Sequence, residues 1–409
     1  VAITNDRMKA ISTNNLSYNC SFIDLDIMET EGTVELGESC YDVKMTPDGL
    51  WAVAGGYNNN EVKIIDLTTN SLATTVYTGQ RPMVVEISPD GQYAYVGNIQ
   101  SNTLSVVELD GVNSSRIVSK SCGVIGVYIP FFGIRSAVKV SPDGTTVLVA
   151  ASFDDEVNVF DTQTNEFVAS LPTGDFPLDI AFNNDGSLAC VVNTFDNTYD
   201  IISVDGASSS VLFHEQLYTD YPMDVAYDDE WDKFLICSAS SDVINTIDPY
   251  TGDITGTQQT FNSPFHVEVY NGSRIIQYQG DGSNDHKITF GDGPFQWVFP
   301  YAAAPFSFNR EAGMIGVAMP GPDLVSIIDL NPPTQIADGE ISTEKFIIYP
   351  NPATDRLFIH ADINYKSIEI HDMNGQLVKH SGNIDSEGLD ISDIIPGTYI
   401  VRIINEEII

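Results

Sequence analysis

Three four-residue segments, Thr46-Pro47-Asp48-Gly49, Ser88-Pro89-Asp90-Gly91 and Ser141-Pro142-Asp143-Gly144, punctuate the chain, with looser copies at 183–186 (NNDG), 228–231 (DDEW) and 270–273 (YNGS). Each follows a short alternating run (YDVKM, MVVEI, AVKV, LDIAF, MDVAY, HVEV) and precedes a second apolar run (WAVAGG, YAYVGN, TVLVAA, LACVVN, FLICSA, IIQYQG). A third run ends in an acidic turn (VKIIDL, LSVVEL, VNVFDT, VINTID), and a more variable fourth leads into the next copy. In S-P-D-G the proline presets φ, the aspartate bonds nearby backbone and the glycine takes the left-handed conformation, so the segment is a hairpin turn. Four antiparallel strands in about 42 residues form one unit that cannot bury both its faces alone. Such units must stack around an axis and close a circle.

Counting second runs gives eight copies when Met8–Thr13 and Met314–Met319 are included, and third runs agree. The expectation is an all-β protein: a β-propeller of eight blades over 1–337, with seven blades plus an extra hairpin as the alternative. The repeat resembles that of the YVTN family of β-propellers, closely at YAYVGN (93–98) and IIDL (64–67), over about 1–334. A polar linker, 338–344, follows. Alternating segments RLFIH, SIEIHD, QLVKH and TYIVRI, punctuated by Asn374-Gly375 and Pro396-Gly397, then predict a small β-sandwich over 345–409. In that region FIIYPNPATDRLFI, IEIHDMNGQLV and LDISDIIPGTYIVRI resemble, in order, the type A C-terminal sorting domain of the type IX secretion system of Bacteroidota. The resemblance implies export across the outer membrane to the extracellular space or cell surface. Its implied partners are the translocon and the machinery that removes the tail and attaches the cargo to surface lipopolysaccharide. Such domains often finish with basic residues, whereas this chain ends Asn405-Glu406-Glu407-Ile408-Ile409.

Charge narrows the partners. Lys and Arg total 18 against 57 Asp and Glu, a net charge of −39. Residues 1–344 carry 13 basic and 47 acidic side chains. Such a surface repels nucleic-acid phosphates and anionic lipid headgroups. Divalent cations and neutral or cationic partners stay available. No run approaches the roughly 18 apolar residues of a membrane span, and a cleaved export signal upstream of Val1 would fit the amino-terminal sequence. Of five cysteines, Cys190 and Cys237 sit in apolar strand patterns. Cys20, Cys40 and Cys122 lie near loops, where Cys20–Cys40 is the favoured pair for a disulfide outside the cell.

Aligning the first strands on the turn places Asp42, Val84, Ala137, Asp179, Asp224, His266 and Ser307 near the axis, followed two residues later by Lys44, Glu86, Lys139 and Glu268 among others. Asp179, Asp224, His266 and Glu268, from three consecutive blades, form a candidate site for a hard cation such as calcium. The competing role for these aspartates is to bond backbone amides of the next blade. An insertion within 119–135 carries the apolar stretch GVIGVYIPFFGI, and the segment before the last copy reads GPFQWVFPYAAAPF. Tyr128, Phe131, Phe132, Trp297 and Tyr301 are therefore candidate ligand-binding rings; packing within a blade is the alternative.

Catalytic signatures such as G-x-S-x-G, H-E-x-x-H and the P-loop are absent from the sequence. Three functions remain in play. The first is a surface-displayed or secreted scaffold binding protein or glycan. The second is a lactonase-like hydrolase seeded by His266 and Glu268, with Arg81 or Arg135 as partner. The third is a structural subunit of an extracellular layer whose acidic surface divalent cations would bridge.

Overall fold

The computed structural model describes residues 1–27, 29–125, 128–129, 133–134, 138–260, 263–278, 286–291, 296–299, 307–319, 324–330, 346–349, 356–361, 367–372, 377–382, 389–391, 394 and 399–404. Packing divides the chain into two units, Val1–Pro332 and Pro333–Ile409. The first unit holds eight successive antiparallel sheets in which strand order follows chain order. Seven have four strands and the last has three described strands. Their innermost strands are Ala2–Ile3, Cys40–Met45, Pro82–Ile87, Val138–Val140, Pro177–Phe182, Pro222–Asp228, Pro264–Tyr270 and Ser307–Asn309. These are blades 1 to 8 of a propeller.

Position within a blade explains the two kinds of apolar pattern. A second strand such as Leu188–Asn193 is buried at every residue, because neighbouring blades cover both its faces. The outermost strand of the same blade, Ser210–Gln216, alternates between half-buried and exposed. Side chains from blades 3, 4 and 5 merge into one cluster that includes Tyr95, Leu104, Val149, Phe160, Ile180 and Val191. Each such side chain contributes about 1.5–3 kcal/mol on burial.

The S-P-D-G turns do what their residues dictate. Gly49, Gly91, Gly144 and Gly186 have φ between 69° and 75°, and Asp48, Asp90 and Asp143 accept the backbone N–H two residues on. The turns also touch around the ring. Pro47 lies against Gly91, Pro89 against Gly144 and Pro142 against Gly186, where a Cβ would stand 3.2–3.3 Å from the proline Cδ.

On the opposite face, here the loop face, second-to-third-strand turns meet the links between blades. Asn60 Oδ1 accepts the Arg81 N–H at 3.3 Å, Asp155 Oδ1 that of Phe176 at 3.1 Å, and Asn197 Oδ1 that of Tyr221 at 2.8 Å. All six residues have positive φ, and Arg81, Phe176 and Tyr221 each precede a proline. The ring closes where Asn309 Nδ2 donates to Ile3 O at 2.6 Å and Arg7 pairs with Asp329.

In the second unit, Phe346–Tyr349, Arg356–Ala361 and Leu389–Asp390 form one three-stranded sheet. Ser367–Asp372, Leu377–Ser381 and Tyr399–Ile404 form another. The four alternating segments of the sequence are four of these strands.

All five thiols are free and buried, so the expected Cys20–Cys40 bridge is not formed. Both side chains lie in the same apolar cluster. Burial pushes each thiol up to about 12, which suppresses the thiolate that disulfide exchange requires.

Candidate ligand-binding face

The innermost strands carry their polar residues on a bulge. Pairing with the second strand shifts register between Cys40 and Val43, Pro177 and Asp179, Pro222 and Asp224, and Pro264 and His266. The shift aims each aspartate sideways at the next blade. Asp42 Oδ2 accepts the Val85 N–H at 2.9 Å, Asp179 Oδ2 that of Val225 at 3.2 Å, and Asp224 Oδ2 that of Val267 at 2.8 Å. His266 Nδ1 lies 2.8 Å from the same Asp224 oxygen. The backbone-bonding role of these aspartates is thus realised. Among the described residues no three His, Cys, Asp or Glu side chains form a group that could hold a metal ion.

Two residues further along, Lys44 Nζ stands 3.8 Å from Glu86 Oε1, with the Lys44 side chain 41% exposed. Glu86 draws the Lys44 ammonium above its ordinary value against the opposing effect of burial. Burial would lower Lys139, but Asp179, Glu86, Glu268 and Asp224 more than offset it and hold it above the lysine range. Carboxylates from several blades thus converge on two lysines, and the axis is lined by compensated charge.

The loop face is different. Phe153 and Phe195 occupy the same repeat position in the turns of blades 4 and 5, two residues beyond Ala151 and Asn193, the last paired residues of their second strands. Their rings remain 57% and 55% exposed. Between them, Phe176 of the inter-blade link is only 4% exposed. It meets Phe153 edge-on at 5.2 Å and stacks on Phe195 at 4.3 Å and 20°. Backbone bonds from Thr194 N to Phe176 O and from Phe195 N to Asp175 O pin the arrangement. Segments 151–157, 173–177 and 193–198 contain Asp154, Asp155, Glu156, Asp175 and Asp196 and no basic residue. Across blades 2 and 3 the same face carries Tyr41 and Tyr57, 5.4 Å apart, with the Arg81 guanidinium 4.6 Å over the Tyr57 ring.

Of the five rings expected to bind ligand, Tyr128 and Trp297 belong to described strands. Tyr128–Ile129 pairs with Gly133–Ile134 as a small hairpin in the link between blades 3 and 4. Trp297 lies in the outermost strand of blade 7, opposite Ile288. Phe131, Phe132 and Tyr301 lie outside the described residues. His214 is on the outermost strand of blade 5, its Nδ1 2.8 Å from the fully buried Asp200, far from the His266 strand in its blade order. Burial raises the Asp200 carboxyl above its ordinary value despite hydrogen bonds from Asn193 and His214.

Residues 347–408 match the family described as secretion system C-terminal sorting domain, and residues 133–227 match that described as lactonase, 7-bladed β-propeller. The second match spans blades 4 and 5 and most of the first strand of blade 6, so its blade number does not describe the ring. No curated protein matches the chain. Among solved structures, hydrazine synthase of Kuenenia stuttgartiensis aligns with a TM-score of 0.51 and 16% identity, covering 80% of this chain and 94% of that one. A functionally unknown protein from Desulfotomaculum acetoxidans DSM 771 aligns with a TM-score of 0.53 and 15% identity, covering 79% and 99%. At these identities the likeness concerns the fold. Among the described residues no helix is long and apolar enough to cross a membrane. The tail directs the chain to the type IX secretion machinery and so to the cell surface or extracellular space. The chain is an eight-bladed β-propeller with a type IX secretion system C-terminal sorting domain.

Proposed function

We propose that this exported propeller is a non-enzymatic binding scaffold whose loop face captures an extracellular protein or glycan. The observation that carries the reading is the ladder Phe153–Phe176–Phe195, two rings of which stand in solvent on hydrogen-bonded turns. Rigid exposed aromatics supply contact area at low entropic cost and anchor interfaces. The five flanking acidic residues select a partner that is neutral or cationic where it touches the ladder. A glycan and peptide array probed with the full chain tests this. Hits lost by tenfold or more in Phe153→Ala and Phe195→Ala, each folded to within about 1 kcal/mol of the parent, support it; hits unchanged in both variants sink it.

Delivery rests on the tail. Removing 333–409 leaves a propeller retained inside the outer membrane, read by protease accessibility on intact cells; surface display of the shortened chain would refute the tail's role.

The lactonase match over 133–227 favours a second reading, a lactonase-like hydrolase using His266, which Asp224 orients through Nδ1. Lactone hydrolysis that vanishes in His266→Gln would establish it.

A further inference from the structure

A groove of about 540 Å³ crosses the loop face between blades 2 and 3, lined by Tyr77, Gln80, Ser101, Thr103, Arg116 and Ser119 among others. Its single charged lining residue is Arg116, in a chain of net charge −39. One edge of that guanidinium is fixed by Nη1 donating to Thr78 O at 2.9 Å. Among the described residues Arg116 joins no ion pair, and neither do Arg81 beside Gln80 and Arg274, whose guanidinium is instead taken by Gln258 and Thr246. Arg7, Lys9, Lys63, Lys120, Lys233 and Arg310 all have a carboxylate partner. In a surface so rich in acid, an arginine left without one retains donors for a ligand. Tyr77 adds a ring that is 70% exposed.

The fold does not impose this chemistry. Ser101 Oγ accepts the Gln80 N–H at 2.9 Å, and the equivalent bond between blades 4 and 5 runs from Asp175 N–H to Asp196 Oδ2, also at 2.9 Å. The same amide is satisfied by a hydroxyl in one place and a carboxylate in the other. Gln80 likewise stands where the other site has Asp175, and Ser119 where it has His214, each opposite its third strand. Acidic groups are therefore missing from the groove although the scaffold accommodates them.

We propose that this groove binds a carboxylate-bearing saccharide. The guanidinium receives the carboxylate, the hydroxyl and amide side chains meet ring hydroxyls, and the Tyr77 ring covers an apolar sugar face. The surrounding negative field excludes densely charged polyanions, so the ligand carries isolated carboxylates on an otherwise neutral glycan. The site is separate from the phenylalanine ladder, and its failure leaves the ladder's role untouched.

Calorimetric titration of the full chain with a glucuronate-containing disaccharide, its glucose counterpart and a glutamate-rich hexapeptide tests the proposal. The acidic disaccharide is expected to bind about tenfold more tightly than the neutral one, as a charge-assisted bond requires. Arg116→Gln removes that preference. Ser101→Asp, which retains an acceptor for the Gln80 amide, also removes it without lowering the unfolding midpoint. Equal affinity for both sugars, a preference that survives Arg116→Gln, or no sugar binding at millimolar concentration overturns the proposal. Hexapeptide binding as tight as that of the acidic sugar overturns it as well, since a carboxylate alone would then suffice.

Discussion

Between blades 2 and 3 the link residue held at positive φ before a proline is Arg81; between blades 4 and 5 it is Phe176. In both, the backbone N–H donates the same bond to a turn side-chain oxygen. Arg81 reaches over Tyr57 and stays in no ion pair among the described residues, whereas Phe176 is clamped between two rings. Backbone strain at this position recurs from blade to blade, so it belongs to the architecture. What varies is the side chain, and it is there that the proposed recognition would reside. One stretch of the loop face is apolar and acidic, the other polar and basic, on a single repeated frame.

The largest test of this contrast is truncation at the shared position. Phe176→Ala should cost about 3 kcal/mol because it empties a packed site, while Arg81→Ala should cost about 1 kcal/mol by removing one half-buried cation–π contact. Urea unfolding of both variants reads the difference; equal losses would mean that the position is purely architectural.

A smaller effect separates the polar pairs that join third and fourth strands in blades 3 and 5. Ser105 and Ser119 face each other 3.1 Å apart in blade 3, where blade 5 has Asp200 and His214. Because the folded Asp200 carboxyl titrates above its ordinary value, its contribution is fully present below the unfolded value of about 3.9 and is lost as pH rises through the folded one. The parent chain should therefore gain stability relative to the double variant Asp200→Ser/His214→Ser as pH falls, by about 1.4 kcal/mol per unit of elevation. A pH-independent difference would show that the carboxylate is not carrying the effect. Smallest of all, Ser101→Asp should change stability by less than about 0.5 kcal/mol, since blade 5 already holds its link amide with Asp196. A larger loss would mean that the two frames are not interchangeable.

Much of the ring was legible beforehand because its signals are local. Pro-Asp-Gly dictates a turn through φ preferences alone, and the apolar runs declare which strands neighbours cover. The employment of Asp179 and Asp224 was legible too, since a carboxylate on a bulged inner strand has a backbone amide within reach. Phe153 and Phe195 passed unnoticed because each is a single apolar residue in a polar turn. Their shared signal, Phe followed by Asp at the same repeat position with Asp175-Phe176 in the link between, becomes meaningful only when adjacent blades are superposed. Cys20 and Cys40 show the converse: their neighbourhood was readable, but their burial, which governs thiol reactivity, depends on the apolar cluster around them.

The contacts that seal the ring join Ile3 to Asn309 and Arg7 to Asp329. They cannot form until the ribosome has passed Asp329, and the sorting domain is translated after that, from about residue 347. A message truncated anywhere inside the propeller therefore yields a chain without its export address. Placing the address after the propeller makes synthesis itself a filter: the secretion machinery can engage only chains whose ring-closing residues already exist.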